Sequence, residues 1–311
     1  MLNNIPTLYM MVGLPSSGKS TIANKLSKSH DSFVIHSSDA IRKELYGSAD
    51  IQRDNNKVFQ ILHMRVKNDL LHSKNVCIDS TNISKKRRIH FLKMISSIPC
   101  KKICICVMTS YERCILLNKQ RVRQVPTDVI HRMYLNWNPP HKSEGWDAII
   151  WKFNDEDISY CSAQYFASDL DHFDQKNQHH TLTLGSHLKS TSFNIIEKHN
   201  EDTNLITAAL LHDIGKPFTQ SFKNSKGIVD GNCHYYQHHC VGAYISAIIL
   251  NNTSGVGCNE IEDVSNLIYY HMHPYNEWKH SIRCLQRDLN LLGEEFVSRV
   301  MLLHEADKMA H

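Results

Sequence analysis

Leu8-Tyr9-Met10-Met11-Val12-Gly13-Leu14-Pro15-Ser16-Ser17-Gly18-Lys19-Ser20-Thr21 decides how the rest of the chain is read. An apolar run leads directly into G-x-x-x-x-G-K-[ST], and a helical pattern follows. Strand, glycine-punctuated loop and helix in that order build a cradle for phosphate. Gly13 and Gly18 let the backbone N–H groups close around the anion, and the helix N-terminus adds a favourable dipole. Lys19 is set to reach the β- and γ-phosphates and Ser20 to hold Mg²⁺, with Ser16, Ser17 and Thr21 completing the binding loop. The expected ligand is ATP or another nucleoside triphosphate with Mg²⁺.

Outward from that loop, residues 7–13, 32–38, 76–80, 102–108 and 148–153 read as strands, and helical patterns fill the gaps. This alternation predicts an α/β domain over residues 1–153, a doubly wound parallel sheet with helices on both faces. Residues 154–178, rich in Asp, Ser, Asn and Gln, read as a linker. Beyond them the β-type runs stop, and helical stretches at 181–199, 203–213, 235–251, 259–272 and 293–309 predict an all-α domain over 179–311. Charge divides the chain at the same place. Residues 1–153 carry 24 Lys and Arg against 11 Asp and Glu, a net +13, and the remainder 11 against 20, a net −9. A strongly basic module implies a polyanionic partner.

The composition narrows the class. A hydrophobic fraction of 41% and a charged fraction of 21% are those of a folded globular chain, with no low-complexity tract. No apolar run approaches the roughly 20 residues that span a bilayer, and the N-terminus shows no secretory pattern. The ten cysteines are scattered without a CxxC pair and read as reduced thiols, so the expected compartment is the cytoplasm.

Asp39 ends the second strand, where the carboxyl ends of a doubly wound sheet face the ligand crevice. A carboxylate there can accept the proton of an attacking hydroxyl. Arg42, three residues on, shares its helix face and can grip an acceptor phosphate. Arg121 and Arg123 lie in a loop before Pro126, where cations can neutralise charge on a transferring phosphoryl group. Asp79, ending the third β-run, either supports Mg²⁺ or is a plain turn residue.

The P-loop, Ser38-Asp39-Ala40-Ile41-Arg42, Val76-Cys77-Ile78-Asp79-Ser80-Thr81-Asn82 with Lys85-Lys86-Arg87-Arg88, and Arg121-Val122-Arg123-Gln124-Val125-Pro126 together resemble the polynucleotide 5′-kinases of RNA repair over about 145 residues. The resemblance implies Asp39 as general base, Arg42 as the ligand of the acceptor's 3′-phosphate, and Arg121 or Arg123 as the lid arginine over the donor phosphates.

The second half holds 14 of the 21 histidines. His187, His212-Asp213, His234, His238, His271 and Asp307 are borderline and hard metal ligands spread over helices that can converge on one site. Adjacent His212 and Asp213 can both reach a metal where a helix ends, and Gly215 and Pro217 provide that end. His239, on another helix face from His238, is expected at the surface. Residues 178–311 resemble the HD phosphohydrolases, especially the HDIG branch, through His179-His180-Thr181, Ala208 to Pro217 and His234 to Ala243. The resemblance implies His187, His212, Asp213 and Asp307 as ligands of one metal, a divalent Mn, Fe, Ni, Co or Zn. It implies His234, His238 and His271 at a second metal or at phosphate, and Lys216 on phosphate. Bacterial repair enzymes that join the two modules place HD first, whereas this chain places it second.

The combined expectation is an enzyme that phosphorylates 5′-hydroxyl ends of RNA, tRNA included, and removes 2′,3′-cyclic, 2′- or 3′-phosphates. Such an enzyme works beside an RNA ligase and can form homo-oligomers. The alternatives are a small-molecule or nucleoside kinase fused to an HD nucleotidase, and a nucleotide-gated RNA sensor without turnover.

Overall fold

The computed structural model describes residues 5–30, 32–154, 170–176 and 182–310. Most of the expected linker and the His179-His180-Thr181 phrase lie outside the described residues. The chain forms two compact units. One holds residues up to 130 with 140–154; the other holds 131–139 with the described residues from 170 onward.

The first unit is built on five strands, β1 (Thr7–Val12), β2 (Phe33–Ser37), β3 (Asn75–Asp79), β4 (Lys101–Met108) and β5 (Ala148–Phe153). All pair in parallel, in the order β2-β3-β1-β4-β5. Parallel strands covered on both faces read as unbroken apolar runs, which is why each was visible in sequence. Tyr9, Met11, Cys77, Ile103, Ile105 and Val107 form one buried cluster with Ala23. Their alternates Leu8, Met10, Val76, Ile78, Cys104 and Cys106 are buried as well. Burying each Val, Leu, Ile or Met side chain contributes roughly 1.5–3 kcal/mol. The connecting helices are α1 (Lys19–Lys28), α2 (Ser38–Tyr46), α3 (Asn55–Leu71), α4 (Lys85–Met94) and α5 (Tyr111–Lys119), and α6 (Thr127–Leu135) starts in this unit and has its last five residues in the second. β1 lies between β3 and β4, so its carboxyl end opens at the switch point of the sheet, where such folds bind ligands.

Arg88 on α4 is a structural residue. Its Nε and Nη2 donate to Glu144 at 2.8 and 2.6 Å, and its Nη1 donates to the carbonyls of Asn82 and Ile83. Trp146 Nε1 donates to the same carboxylate. Both ion-pair side chains are fully buried, so removing either partner would cost about 3–5 kcal/mol.

The second unit contains α7 (Leu184–His199), α8 (Thr203–Leu211), the short α9 (Lys216–Thr219), α10 (His238–Asn251), α11 (Cys258–Tyr270), α12 (Ile282–Leu292) and α13 (Glu294–Met309), with a π-turn at Pro274–Trp278. Thr183, Asp202 and Ser281 cap α7, α8 and α12 by accepting from the N–H three residues on. Within this unit Tyr134 and Trp137 pack edge-on against Tyr244.

Two features depart from the sequence reading. α12 was not anticipated. Nor was an antiparallel hairpin, β6 (Ser221–Lys223) and β7 (Val229–His234), which pairs Ser221 with His234 and Lys223 with Val229. Its strands are short and polar, and local backbone contacts hold its turn. Asn224 Oδ1 accepts from the N–H groups of Lys226 and Ile228, and Gly227 takes φ +79°.

Candidate active sites

In the first unit the loop after β1 closes as its glycines predict. A Cβ on Gly13 would lie 2.5 Å from the Val107 carbonyl oxygen, and Gly13 takes φ +154°. Gly18 takes φ +93° and leads into α1. The Ser17 carbonyl accepts from Thr109 Oγ1 at 3.0 Å and Asn154 Nδ2 at 2.6 Å, which ties the loop to the ends of β4 and β5. Lys19 is buried and donates to the Leu14 carbonyl and to Ser17 Oγ. Burial pulls its ammonium down to about 8, against the opposing pull of Asp79. Thr21 is exposed on the first turn of α1. Ser20 Oγ donates to Asp79 Oδ2 at 2.7 Å, so the hydroxyl and carboxylate that could hold Mg²⁺ are adjacent. β1–β3 pairing puts them there, which favours the metal-supporting reading of Asp79 over the turn reading.

Asp39, in the first turn of α2, is held between two arginines. Arg42 Nη1 donates to its Oδ1 at 2.8 Å and Arg123 Nη1 to its Oδ2 at 2.6 Å. Arg42 is buried; its Nη2 donates to Asn55 Oδ1, and its Nε has no hydrogen-bond partner among the described residues. Arg123 also grips Asp50 Oδ1 and the Ala49 carbonyl. Arg121 instead reaches Ser16 Oγ of the phosphate loop at 3.3 Å. The two arginines that sequence could not separate therefore face different partners.

In the second unit the buried residues His187 (α7), His212 and Asp213 (end of α8), His238 (α10), His271 (end of α11) and Asp307 (α13) converge. His187, His212 and Asp307 offer three donor atoms within 4.8 Å of one another, and Asp213, His238 and His271 offer three more. Asp213 faces both trios. Its Oδ2 lies 3.6 and 3.4 Å from His187 and His212 Nε2, and its Oδ1 3.1 and 3.6 Å from His238 and His271 Nε2. One backbone device aims the rings. Nδ1 of His212, His238 and His271 each meets the carbonyl three residues earlier, Ala209, Tyr235 and Ile268, at 2.8, 2.7 and 2.6 Å. His187 Nδ1 meets the Ala310 carbonyl at 3.4 Å. A carbonyl on Nδ1 selects the Nδ1–H tautomer and leaves the Nε2 lone pair inward.

This donor set fits divalent cations. His187 and His212 Nε2 are 3.3 Å apart, and His238 and His271 Nε2 3.2 Å. As facing acceptors they have no proton to share, and a cation satisfies both along with the carboxylates. Burial raises the Asp213 carboxyl, but the Lys216 ammonium and His212 outweigh it and hold it well below the ordinary range. Burial pushes the His271 imidazole down to about 4, which keeps it neutral. Burial opposes protonation of His212 too, yet Asp213 and Asp307 prevail and raise it. Lys216 Nζ lies 2.6 Å from Asp213 Oδ2 and 2.7 Å from Gln175 Oε1, with the Tyr235 ring 5.6 Å away.

His234, expected at a second metal or phosphate, belongs to neither trio. It ends β7 with its ring stacked on Tyr236, centroids 5.5 Å apart. His239, expected at the surface, is half-buried against Tyr269 and near His271, because α10 is enclosed on more than one face. A third group, His273, Glu277 and Asp288, has donors within 4.8 Å, but Arg287 pairs with both carboxylates and Trp278 donates to Asp288. That arrangement is already neutralised.

Three functional candidates carried no sequence signal. Gln175 and Tyr235 meet Lys216 through long-range packing, and Tyr275 donates to Asp307 from the π-turn. Asn154 did carry one, since it directly follows a strand whose carboxyl end faces the crevice.

Residues 8–140 match the AAA domain family and residues 184–310 the HD domain family. The chain is 25% identical over 150 residues to an L-seryl-tRNA(Sec) kinase of Methanococcus maripaludis, 45% of this chain and 56% of that protein. It thus spans about half the length of this curated relative. A chain of the Pnkp1/Rnl/Hen1 RNA repair complex is 21% identical over 42% of this chain and 43% of its own, at TM-score 0.37. Kti12 of Chaetomium thermophilum, solved with ADP-AlF3, is 20% identical over 49% of this chain and 92% of its own, at TM-score 0.41. Neither structural overlap bears on substrate. The chain joins a domain that carries a phosphate loop and matches the AAA domain family to a helical domain that matches the HD domain family.

Proposed function

We propose that the chain heals RNA ends, its P-loop domain phosphorylating 5′-hydroxyl ends with ATP and its HD domain removing 2′,3′-cyclic, 2′- or 3′-phosphates. The observation that carries the reading is the pair Asp39 and Arg42. A carboxylate in the first turn of the helix after β2 lies beside a buried guanidinium whose Nε has no partner among the described residues. In the transfer step Asp39 accepts the proton of the attacking hydroxyl and Arg42 holds the acceptor's own phosphate. Lys19 and Arg121 neutralise charge on the transferring group, and Ser20 and Asp79 hold Mg²⁺. The +13 of residues 1–153 supports a polyanionic acceptor, as does a curated relative whose name carries a tRNA.

In the HD domain His187, His212 and Asp307 would hold one divalent ion and His238 and His271 another, with Asp213 shared. Such ions lower the pKa of water toward neutrality and polarise a phosphoryl group. Lys216 supplies a further positive charge for a phosphoryl oxygen. The products, a 5′-phosphate and a 3′-hydroxyl, are what an RNA ligase seals, so a ligase acts next. An RNA substrate and ATP fit the cytoplasm.

Thin-layer analysis of a 5′-hydroxyl, 3′-phosphate RNA incubated with ATP, Mg²⁺ and Mn²⁺ tests the proposal. Both ends should change. Lys19→Ala should lose only the 5′ reaction and Asp213→Ala only the 3′ reaction. Parallel loss of both in folded variants, or preference for a mononucleoside acceptor over an oligonucleotide, would refute it.

A further inference from the structure

The two oxygens of Asp307 are treated differently. Oδ1 faces His187 and His212 Nε2 at 3.1 and 3.5 Å, whereas Oδ2 accepts from the Tyr275 hydroxyl at 2.9 Å. Tyr275 lies on the π-turn Pro274–Trp278, four residues after His271, whose Nε2 serves the other trio. Interruptions of this kind recur at functional sites. The Tyr275 ring is fixed edge-on against His304, three residues before Asp307 on α13, with centroids 4.2 Å apart.

A carboxylate free to rotate can bind an ion through one oxygen or two. With a hydroxyl donating to one oxygen, the other is left for the ion. We propose that Tyr275 is a positioning residue that makes Asp307 a one-oxygen ligand, and that it acts on the ion of His187, His212 and Asp307 but not on the ion of Asp213, His238 and His271. The inference rests on the two-ion reading of the HD domain. Among the described residues, the Asp213 carboxylate of the second trio meets an ammonium in place of a hydroxyl, Lys216 lying 2.6 Å from its Oδ2. The two positions are therefore chemically unequal although both use imidazole and carboxylate.

Removing an outer partner of a metal ligand typically weakens affinity 10–100-fold. Tyr275→Phe deletes the hydroxyl and keeps the ring against His304. The full chain, stripped by chelator, would be titrated with Mn²⁺ by calorimetry, with Asp307→Ala identifying which binding event belongs to the first trio. In Tyr275→Phe that event should weaken about 10–100-fold while the other keeps its affinity, with the melting temperature of the metal-free protein unchanged. Two unchanged affinities, or equal weakening of both, would overturn the positioning role. A wild-type chain that takes up no Mn²⁺ would overturn the two-ion reading and this inference with it.

Discussion

Gly215 follows the His212-Asp213 pair at φ −76°, a conformation any residue adopts; what it lacks is room. A Cβ there would stand 2.1 Å from the His238 carbonyl oxygen and 2.6 Å from the Gly242 backbone nitrogen. Ordinary contact begins near 3.4 Å, so in Gly215→Ala the start of α10 must retreat by roughly 1.3 Å, the difference between 3.4 and 2.1. His238 is the first residue of α10, and its Nε2 is 3.1 Å from Asp213 Oδ1. Metal–ligand distances hold to about 0.2 Å, so a shift of that size removes His238 from the site. Overpacking costs about 1–3 kcal/mol, and two backbone segments without rotamers to yield put this case at the upper end. Roughly 3 kcal/mol corresponds to a melting-temperature loss on the order of 10 °C for a domain of this size. Gly242→Ala provides the graded comparison, because its Cβ would meet the His212 carbonyl oxygen and Gly215 nitrogen at 3.3 and 3.4 Å. It should cost far less. Thermal melting by circular dichroism and metal analysis on both variants test this reasoning. A Gly215→Ala protein that melts like wild type with full metal refutes it, as does a Gly242→Ala protein that suffers more.

Burial holds Lys19 at about 8, and nucleotide phosphates favour its charged form. Calorimetry in two buffers at about pH 8.5 should record proton uptake on ATP binding, absent near pH 6.5 and in Lys19→Met; uptake independent of pH would refute the burial argument. The unfolded chain keeps that proton up to the ordinary value of 10.5, so this group makes folding stability rise between about pH 8 and 10.5. Ser20→Ala and Asp79→Asn should each raise the Mg²⁺ requirement of the kinase, with the double variant little worse than either, since they share one 2.7 Å hydrogen bond. Fully additive effects would separate their roles. Arg121→Ala should act mainly on the ATP side and Arg123→Ala mainly on the acceptor side, because they touch Ser16 and Asp39 respectively. Steady-state kinetics with both substrates varied would expose a reversed pattern.

The first domain was legible because its chemistry is local. A buried parallel sheet writes each strand as an apolar run, and the phosphate loop is contiguous, so β1 to β5 matched to within a residue or two at each end. In the second domain the converging residues His187, His212, Asp213, His238, His271 and Asp307 were legible as residue types, whereas their division into two trios is set by helix packing. His234 stands apart from both trios because the hairpin carries its ring to Tyr236, and that hairpin has no apolar period to betray it. His239 misled because alternate faces of a helix differ in exposure only when one of them meets water. Arg121 and Arg123 are two residues apart in a loop, where no periodicity says which way each points.

The carbonyls of Ala209 and Ile268, which clamp His212 and His271, come from the last turns of α8 and α11, where helices leave their acceptors unpaired. The positions of the two imidazoles are thus fixed by where those helices stop. Residues along the helices can drift so long as they pack, but adding or deleting one residue would swing each histidine, with its carbonyl, about 100° around the helix axis and away from the residues it meets across the site. Among relatives of this domain, substitutions should therefore accumulate freely within α8 and α11, while changes in length should be confined to the hairpin and the loops.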